Sequence, residues 1–188
     1  MKYFKKLIGN KCYLSPINIE DAEKYTEWLN DLEVSKYLSL SREQITLQKE
    51  KEILEDMSKT RAQVFGIIDK KTDNLIGNCS LFSINHPNKR AEFGIFIGDK
   101  RYWNKGYGTE ATKLILDYGF NILNLNSIML EVYSFNKRAI KSYEKIGFKT
   151  IGKRRQAKII GGKKYDIFYM DILADEFKSI YIKQLLEC

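Results

Sequence analysis

The 188 residues fit one compact domain, and near-average apolar (44%) and charged (30%) shares with only two prolines exclude a disordered or fibrous chain. Three widely spaced cysteines and a single histidine exclude a disulfide framework, a Cys-x-x-Cys metal pattern and a multi-histidine metal site. The net charge of +8 invites a nucleic-acid or membrane partner, yet residues 1–60 carry ten basic against eleven acidic side chains, so the excess belongs to the remainder.

Met1 to Gly9 has early positive charge but neither the apolar core nor the cleavage site of a signal peptide, and no window approaches the ~20 apolar residues that span a bilayer. The expectation is a cytoplasmic chain without membrane contact, its thiols at Cys12, Cys79 and Cys188 reduced. Lys11 to Ser15 reads as a strand stopped by Pro16. Asn18 is an N-cap for a helix with Ala22, Tyr25, Trp28 and Leu29 at helical spacing, and a second helix covers Ile45 to Met57. Ala62 to Ile68 and Leu75 to Ile84 form a hairpin around the polar turn 70–74, and Arg90 to Ile97 is a third strand after a turn at 85–88. A Gly-containing loop then leads into a helix from Thr109 to Leu123, a strand from Ser127 to Tyr133, and a helix from Lys137 to Ile146 closed by Gly147. Ile151 to Ile160 and Tyr165 to Ile172 flank Gly161-Gly162 as a hairpin, and a last helix is expected over 174–188. This order predicts a single α+β domain over 1–188 with one central sheet.

The stretch Trp103-Asn104-Lys105-Gly106-Tyr107-Gly108-Thr109 lies between a strand and a helix. Glycines let a phosphate approach the backbone, and the first turn of the helix offers unpaired N–H groups with a partial positive charge. A plain strand-helix turn explains Gly-x-Gly equally well, and the stretch is neither a Walker loop nor a dinucleotide fingerprint. The basic runs Lys153-Arg154-Arg155 and Lys163-Lys164 lack interleaved exposed aromatics, so a solvated hairpin face is preferred to a nucleic-acid-binding module. His86 beside Pro87 reads as a surface turn residue.

Asn136-Lys137-Arg138-Ala139-Ile140-Lys141-Ser142-Tyr143-Glu144-Lys145-Ile146-Gly147-Phe148 supplies a second motif after the next strand. Together with the loop it resembles the GNAT superfamily of N-acetyltransferases over residues 11 to 173. Within it, the words Arg90-Ala91-Glu92-Phe93-Gly94-Ile95 and Lys105-Gly106-Tyr107-Gly108-Thr109-Glu110-Ala111 are similar to the branch of ribosomal-protein N-terminal and polyamine acetyltransferases. Trp103 replaces the wider family's Gln/Arg, and Asn104 stands where this branch often has Gly.

The resemblance implies a mixed, mostly antiparallel central sheet flanked by helices, acetyl-CoA as co-substrate without a metal, and a primary amine as acceptor. It places the CoA diphosphate on Trp103 to Thr109, and the pantetheine arm on backbone atoms of Ile95, Phe96 and Ile97. Asn136 and Ala139 lie against the same arm, although Asn136 also reads as an N-cap. Lys100, Arg101, Lys105, Arg138, Lys141 and Lys145 are candidate cations for the CoA phosphates, with ordinary solvated surface charges as the plain alternative. Tyr143 matches the family's tyrosine that protonates the departing thiolate, with a core aromatic as the plain alternative. Glu92, eleven positions before Trp103, resembles a catalytic strand glutamate and is the candidate base, directly or through water. Residues 11–60 are assigned mainly to the acceptor and 90–148 to the cofactor. Glu20, Asp21, Glu27, Asp31 and Glu33 attract a cationic amine or simply form polar helix faces. A homodimer fits the resemblance, and a non-catalytic acyl-CoA sensor is the alternative function.

Overall fold

Gln63 to Asp69 is the strand on which the first half of the chain is built, because its residues from Phe65 on are buried on both faces. A computed structural model describes residues 2–39, 43–179 and 181–182. Its elements are β1 (Leu7–Ile8), β2 (Cys12–Pro16), α1 (Ala22–Asn30), α2 (Leu32–Ser35), α3 (Leu47–Lys59), β3 (Gln63–Asp69), β4 (Leu75–Asn85) and β5 (Arg90–Ile97). There follow α4 (Tyr107–Asn121), β6 (Ser127–Tyr133), α5 (Lys137–Ile146), β7 (Lys149–Ile160) and β8 (Lys163–Leu173). The strand order is β1-β2-β3-β4-β5-β6-β8-β7, a mixed sheet in which β5 and β6 run parallel and the β1–β2, β2–β3, β3–β4, β6–β8 and β7–β8 pairs antiparallel.

The chain forms two compact units, the first comprising 1–82 and 94–115, the second 83–93 and 116–188. In the first, Tyr3, Tyr13, Tyr25, Trp28, Leu54, Ile68 and Leu75 form a buried core against which Phe96 and Trp103 pack. The apolar stripe expected on the first helix is what α1 buries, through Ala22, Tyr25, Trp28 and Leu29. Asn18 caps a single 3₁₀ turn ahead of it, accepting the Glu20 N–H at 3.0 Å. Gly98 admits the Trp28 indole, since a Cβ there would lie 2.1 Å from its ring.

In the second unit β6 pairs with β8 from Ser127↔Leu173 to Tyr133↔Ile167, and Gly161 and Gly162, at φ 55° and 75°, make the β7–β8 turn that the sequence indicates. Asp117, fully buried on α4, accepts hydrogen bonds from Asn121, Ser179 and the Tyr181 and Ile182 amides, which fastens the following segment to the helix. The expected C-terminal helix does not form over the described residues: Ala174 to Glu176 is a turn and none of the described residues to Ile182 is helical, with the Tyr181 and Ile182 amides given to Asp117. The rest of that expectation, with Cys188, falls on 183–188, outside the described residues.

Glu50 faces inward from α3 at 3% exposure, with no hydrogen-bond partner for its Oε2 among the described residues. Burial pushes its carboxyl up to about 7. The folded state therefore holds a proton that the unfolded chain, with the ordinary value of 4.5, releases earlier, so stability falls as pH rises from about 4.5 through 7. Urea titrations at pH 5 and pH 8 should show this loss shrinking by on the order of 2–3 kcal/mol in Glu50→Gln. An unchanged difference between the two pH values would contradict it.

Candidate functional site

In the first unit the loop after β5 takes the backbone form that its residue types allow. Asn104 and Gly106 have φ of 59° and 84°, the left-handed region that Asn tolerates and Gly adopts freely. The second turn lets α4 start at Tyr107, two residues before the expected Thr109, so Tyr107 and Gly108 stand in the first helical turn. The first helical hydrogen bond runs from the Glu110 N–H to the Gly106 carbonyl, and the amides of Tyr107 and Gly108 precede it at the positive end of the helix. A Cβ on Gly108 would make only ordinary contact with Ile97 at 3.7 Å, so no packing inside the chain demands glycine there. Asn104, Lys105 and Gly106 are exposed.

Three interactions hold this loop. Trp103 donates its indole N–H to the Ile97 carbonyl at 2.8 Å and packs on the Tyr25–Trp28 core, which explains how it replaces a polar residue without unsettling the loop. Tyr107 donates its hydroxyl to Asp69 Oδ1 at 2.8 Å, and its own phenol is pushed up to about 12, first by desolvation and then by that carboxylate. Asp69 is 2% exposed; burial alone would raise its carboxyl, but hydrogen bonds from Thr72 and Tyr107 outweigh this and hold it below the usual carboxylate range. Glu110, in the first turn of α4, accepts the amides of Asn10, Lys11 and Cys12 at 3.0, 2.7 and 2.9 Å and the Cys12 thiol at 3.4 Å.

β5 itself meets β6 through only three pairs, Arg90↔Ser127, Ala91↔Ile128 and Glu92↔Met129. From Phe93 onward that edge of β5 is outside the β6 ladder, the condition under which strand N–H and C=O groups are available to a ligand. Ile95, Phe96 and Ile97 lie on this stretch. The Ile97 carbonyl is taken by Trp103, and the Phe96 ring packs edge-on against Tyr25 and Trp28 at 6.2 and 6.3 Å.

In the second unit Asn136 accepts the Ala139 N–H at 3.2 Å, so the capping reading holds for α5. Gly147, at φ 122°, ends the helix while the Phe148 N–H returns to the Tyr143 carbonyl. Tyr143 is half-buried, its ring edge-on to Phe93 at 6.3 Å and to Phe148 at 5.7 Å. Desolvation pushes its phenol up to about 12, so it keeps its proton across the neutral range. Strand alternation sends Glu92, half-buried, to the face of β5 opposite Phe93, and therefore away from the aromatic group that seats Tyr143. Arg138 and Lys145 are exposed on α5.

Two of the proposed phosphate cations are committed elsewhere. Lys100 bridges Asp31 and Glu33 at 2.8 and 2.6 Å, and Arg101 pairs with Asp99 at 2.6 Å. Asp31, Asp99, Lys100 and Arg101 line a cleft of about 350 Å³ with Lys24, Glu27 and Trp28, where opposite charges largely neutralise each other. Cys79 is fully buried and its thiol is pushed up by desolvation, which leaves it a poor nucleophile. His86 is an exposed turn residue, as expected. Lys153 pairs with Asp166 at 3.6 Å and Lys158 lies over the Tyr133 ring at 9% exposure, while Arg154, Arg155, Lys163 and Lys164 are exposed, as a solvated hairpin face requires. Among the described residues no helix is long and apolar enough to cross a membrane, and no group of three His, Cys, Asp or Glu side chains is placed to hold a metal.

Sequence reasoning missed Asp69, which has no local motif and is brought to Tyr107 by the β3–β4 turn. It also missed the role of Glu110, whose carboxylate reads from sequence as an ordinary first-turn acid. Glu110→Ala should lower stability by about 1–3 kcal/mol by urea denaturation, because three turn amides lose a charged acceptor. A loss below a few tenths of a kcal/mol would show that water replaces the carboxylate without cost.

The family model described as acetyltransferase (GNAT) domain matches residues 11–149. A Bacillus licheniformis protein named uncharacterized N-acetyltransferase p20 is 32% identical over 174 residues, 91% of this chain and 97% of its own. Spermidine N(1)-acetyltransferase of Escherichia coli is 39% identical over 101 residues, 54% of each chain. Among solved structures, a spermidine N-acetyltransferase from Vibrio cholerae in complex with CoA and spermine superposes with a TM-score of 0.80 at 27% identity, covering 89% of this chain and 98% of its own.

Proposed function

Because the chain belongs to the GNAT acetyltransferase family and is an N-acetyltransferase, we propose that it moves an acetyl group from acetyl-CoA directly to a primary amine. The observation that carries this reading is the loop: a left-handed Gly106, a helix beginning at Tyr107 and an unbranched Gly108 make room for a diphosphate beside helix-end amides. The residues fit CoA, which supplies an activated thioester when bound. Trp103 to Thr109 hold its phosphates, with Lys105, Arg138 and Lys145 as cations. Asn136 and Ala139 lie along the pantetheine arm, and the β5 edge at Ile95 to Ile97 orients the carbonyl.

In the reaction the amine nitrogen forms its bond to the acetyl carbon as the carbon–sulfur bond breaks. Tyr143 gives its phenolic proton to the departing sulfur; Glu92, through water, takes the proton that the amine loses. The Tyr143 phenol is protonated at working pH, as a donor must be, while its burial makes it a weaker acid than a free phenol. Proton balance requires the two groups to serve opposite partners, and because Glu92 lies on the β5 face away from Tyr143, a water has to carry the amine proton to it.

For the acceptor, the named spermidine acetyltransferases support a polyamine. Charge adds little, because Asp21 is engaged by Lys2 and Tyr3, and Asp31 and Glu33 by Lys100, which leaves Glu20 and Glu27 exposed. Peptide N-termini and amino sugars are therefore the arms against which spermidine is compared in a CoA-release assay, with the highest kcat/KM deciding. In that assay Tyr143→Phe should lose on the order of 100-fold in kcat with CoA affinity kept, and Glu92→Gln should lose on the order of tenfold or more in kcat. Near-normal turnover in Tyr143→Phe sinks the acid assignment, and near-normal turnover in Glu92→Gln sinks the base.

A further inference from the structure

The turn between β1 and β2 is held on every side. Gly9 donates its N–H to the Cys12 carbonyl at 2.9 Å, and Lys70 Nζ donates to the Gly9 carbonyl at 3.0 Å. The Lys11 N–H goes to Glu110 Oε2 at 2.7 Å, while its carbonyl accepts the Lys70 N–H at 2.9 Å. Lys11 thus has both backbone groups pinned, one of them to the first turn of α4. A Cβ at Gly9 would lie 2.8 Å from the Glu110 carboxyl, so the turn fits that carboxylate closely.

From this anchored backbone the Lys11 side chain extends over the loop. Its Cε is 3.8 Å from the point that a Cβ on Gly106 would occupy, and its Nζ is 5.9 Å from the Tyr107 ring centroid. The side chain is exposed and has no carboxylate ion-pair partner among the described residues. An acid in the first turn of a phosphate-binding helix is electrostatically adverse to the phosphate. Here that acid is Glu110, and the segment that saturates its oxygens also delivers an ammonium to the loop.

We propose that Lys11 is a cofactor-phosphate residue, contributed by the N-terminal turn from far outside the loop and α5 motifs and placed there by the Glu110 clamp. Its ligand is the diphosphate of the acyl donor, and the proposal rests on the reading of Trp103 to Thr109 as the CoA loop. Lys11 acts as a point charge on a flexible stem, so an arginine should replace it and an isosteric apolar chain should not.

Calorimetry with CoA on the wild type, Lys11→Met and Lys11→Arg tests this, beside acetyl-CoA and acetyl-pantetheine kinetics. Lys11→Met should bind CoA about tenfold more weakly with a shallower salt dependence, while Lys11→Arg stays within about twofold. KM for acetyl-pantetheine, which lacks the diphosphate, should not change in either variant, and thermal unfolding should match the wild type. CoA affinity in Lys11→Met within twofold of the wild type overturns the proposal, as does an equal loss in the Met and Arg variants. A wild type that binds no CoA would instead refute the reading of the loop itself.

Discussion

The Glu110 carboxylate is the constraint on which the loop from Trp103 to Thr109 depends. It sits in the first turn of α4 and accepts three amides and a thiol from residues 10–12, joining a helix to a turn about a hundred residues earlier. A helix end is positioned only as well as its first turn, and the left-handed residues before it have no side-chain packing of their own to fix them. The carboxylate supplies that position, and the amides it consumes would otherwise need water or another acceptor.

Asp69 does the same from the other side. Its buried carboxylate takes the Tyr107 hydroxyl, while the Thr72 hydroxyl and amide hold it in its turn. Two acids thus frame a loop that the family uses for a polyanion. Each is tolerated because its charge is met by hydrogen-bond donors within 3.2 Å, which leaves the outer surface to helix-end amides and lysines. In the second unit Tyr143 is packed among core aromatics, and that packing is compatible with the acid role proposed for it. The Phe93 and Phe148 rings fix its orientation and desolvate it, and the same desolvation keeps the phenol protonated.

Most element identities were legible in the chain. Period-two apolar runs, Gly161-Gly162, Asn136 and Gly147 are local signals that take their expected form, while Asn18 caps a 3₁₀ turn rather than the helix after it. Over the described residues to Ile182 no C-terminal helix forms, and Asp117 takes the Tyr181 and Ile182 amides; Lys100 meets acids on α2 and its cap, and Arg101 meets Asp99 just before it. Composition cannot show which carboxylate a lysine meets.

By itself, the sequence determined the backbone of the 103–109 loop and the α5 motif, because the left-handed tolerance of Asn104 and Gly106 and the caps of a helix are properties of a few adjacent residues. Only the tertiary structure decided which charges reach that loop. Lys100 and Arg101, beside it in sequence, are drawn into ion pairs, while Lys11, far away, is carried to it. Electrostatic and hydrogen-bond partners are chosen by distance in space, which chain separation does not encode.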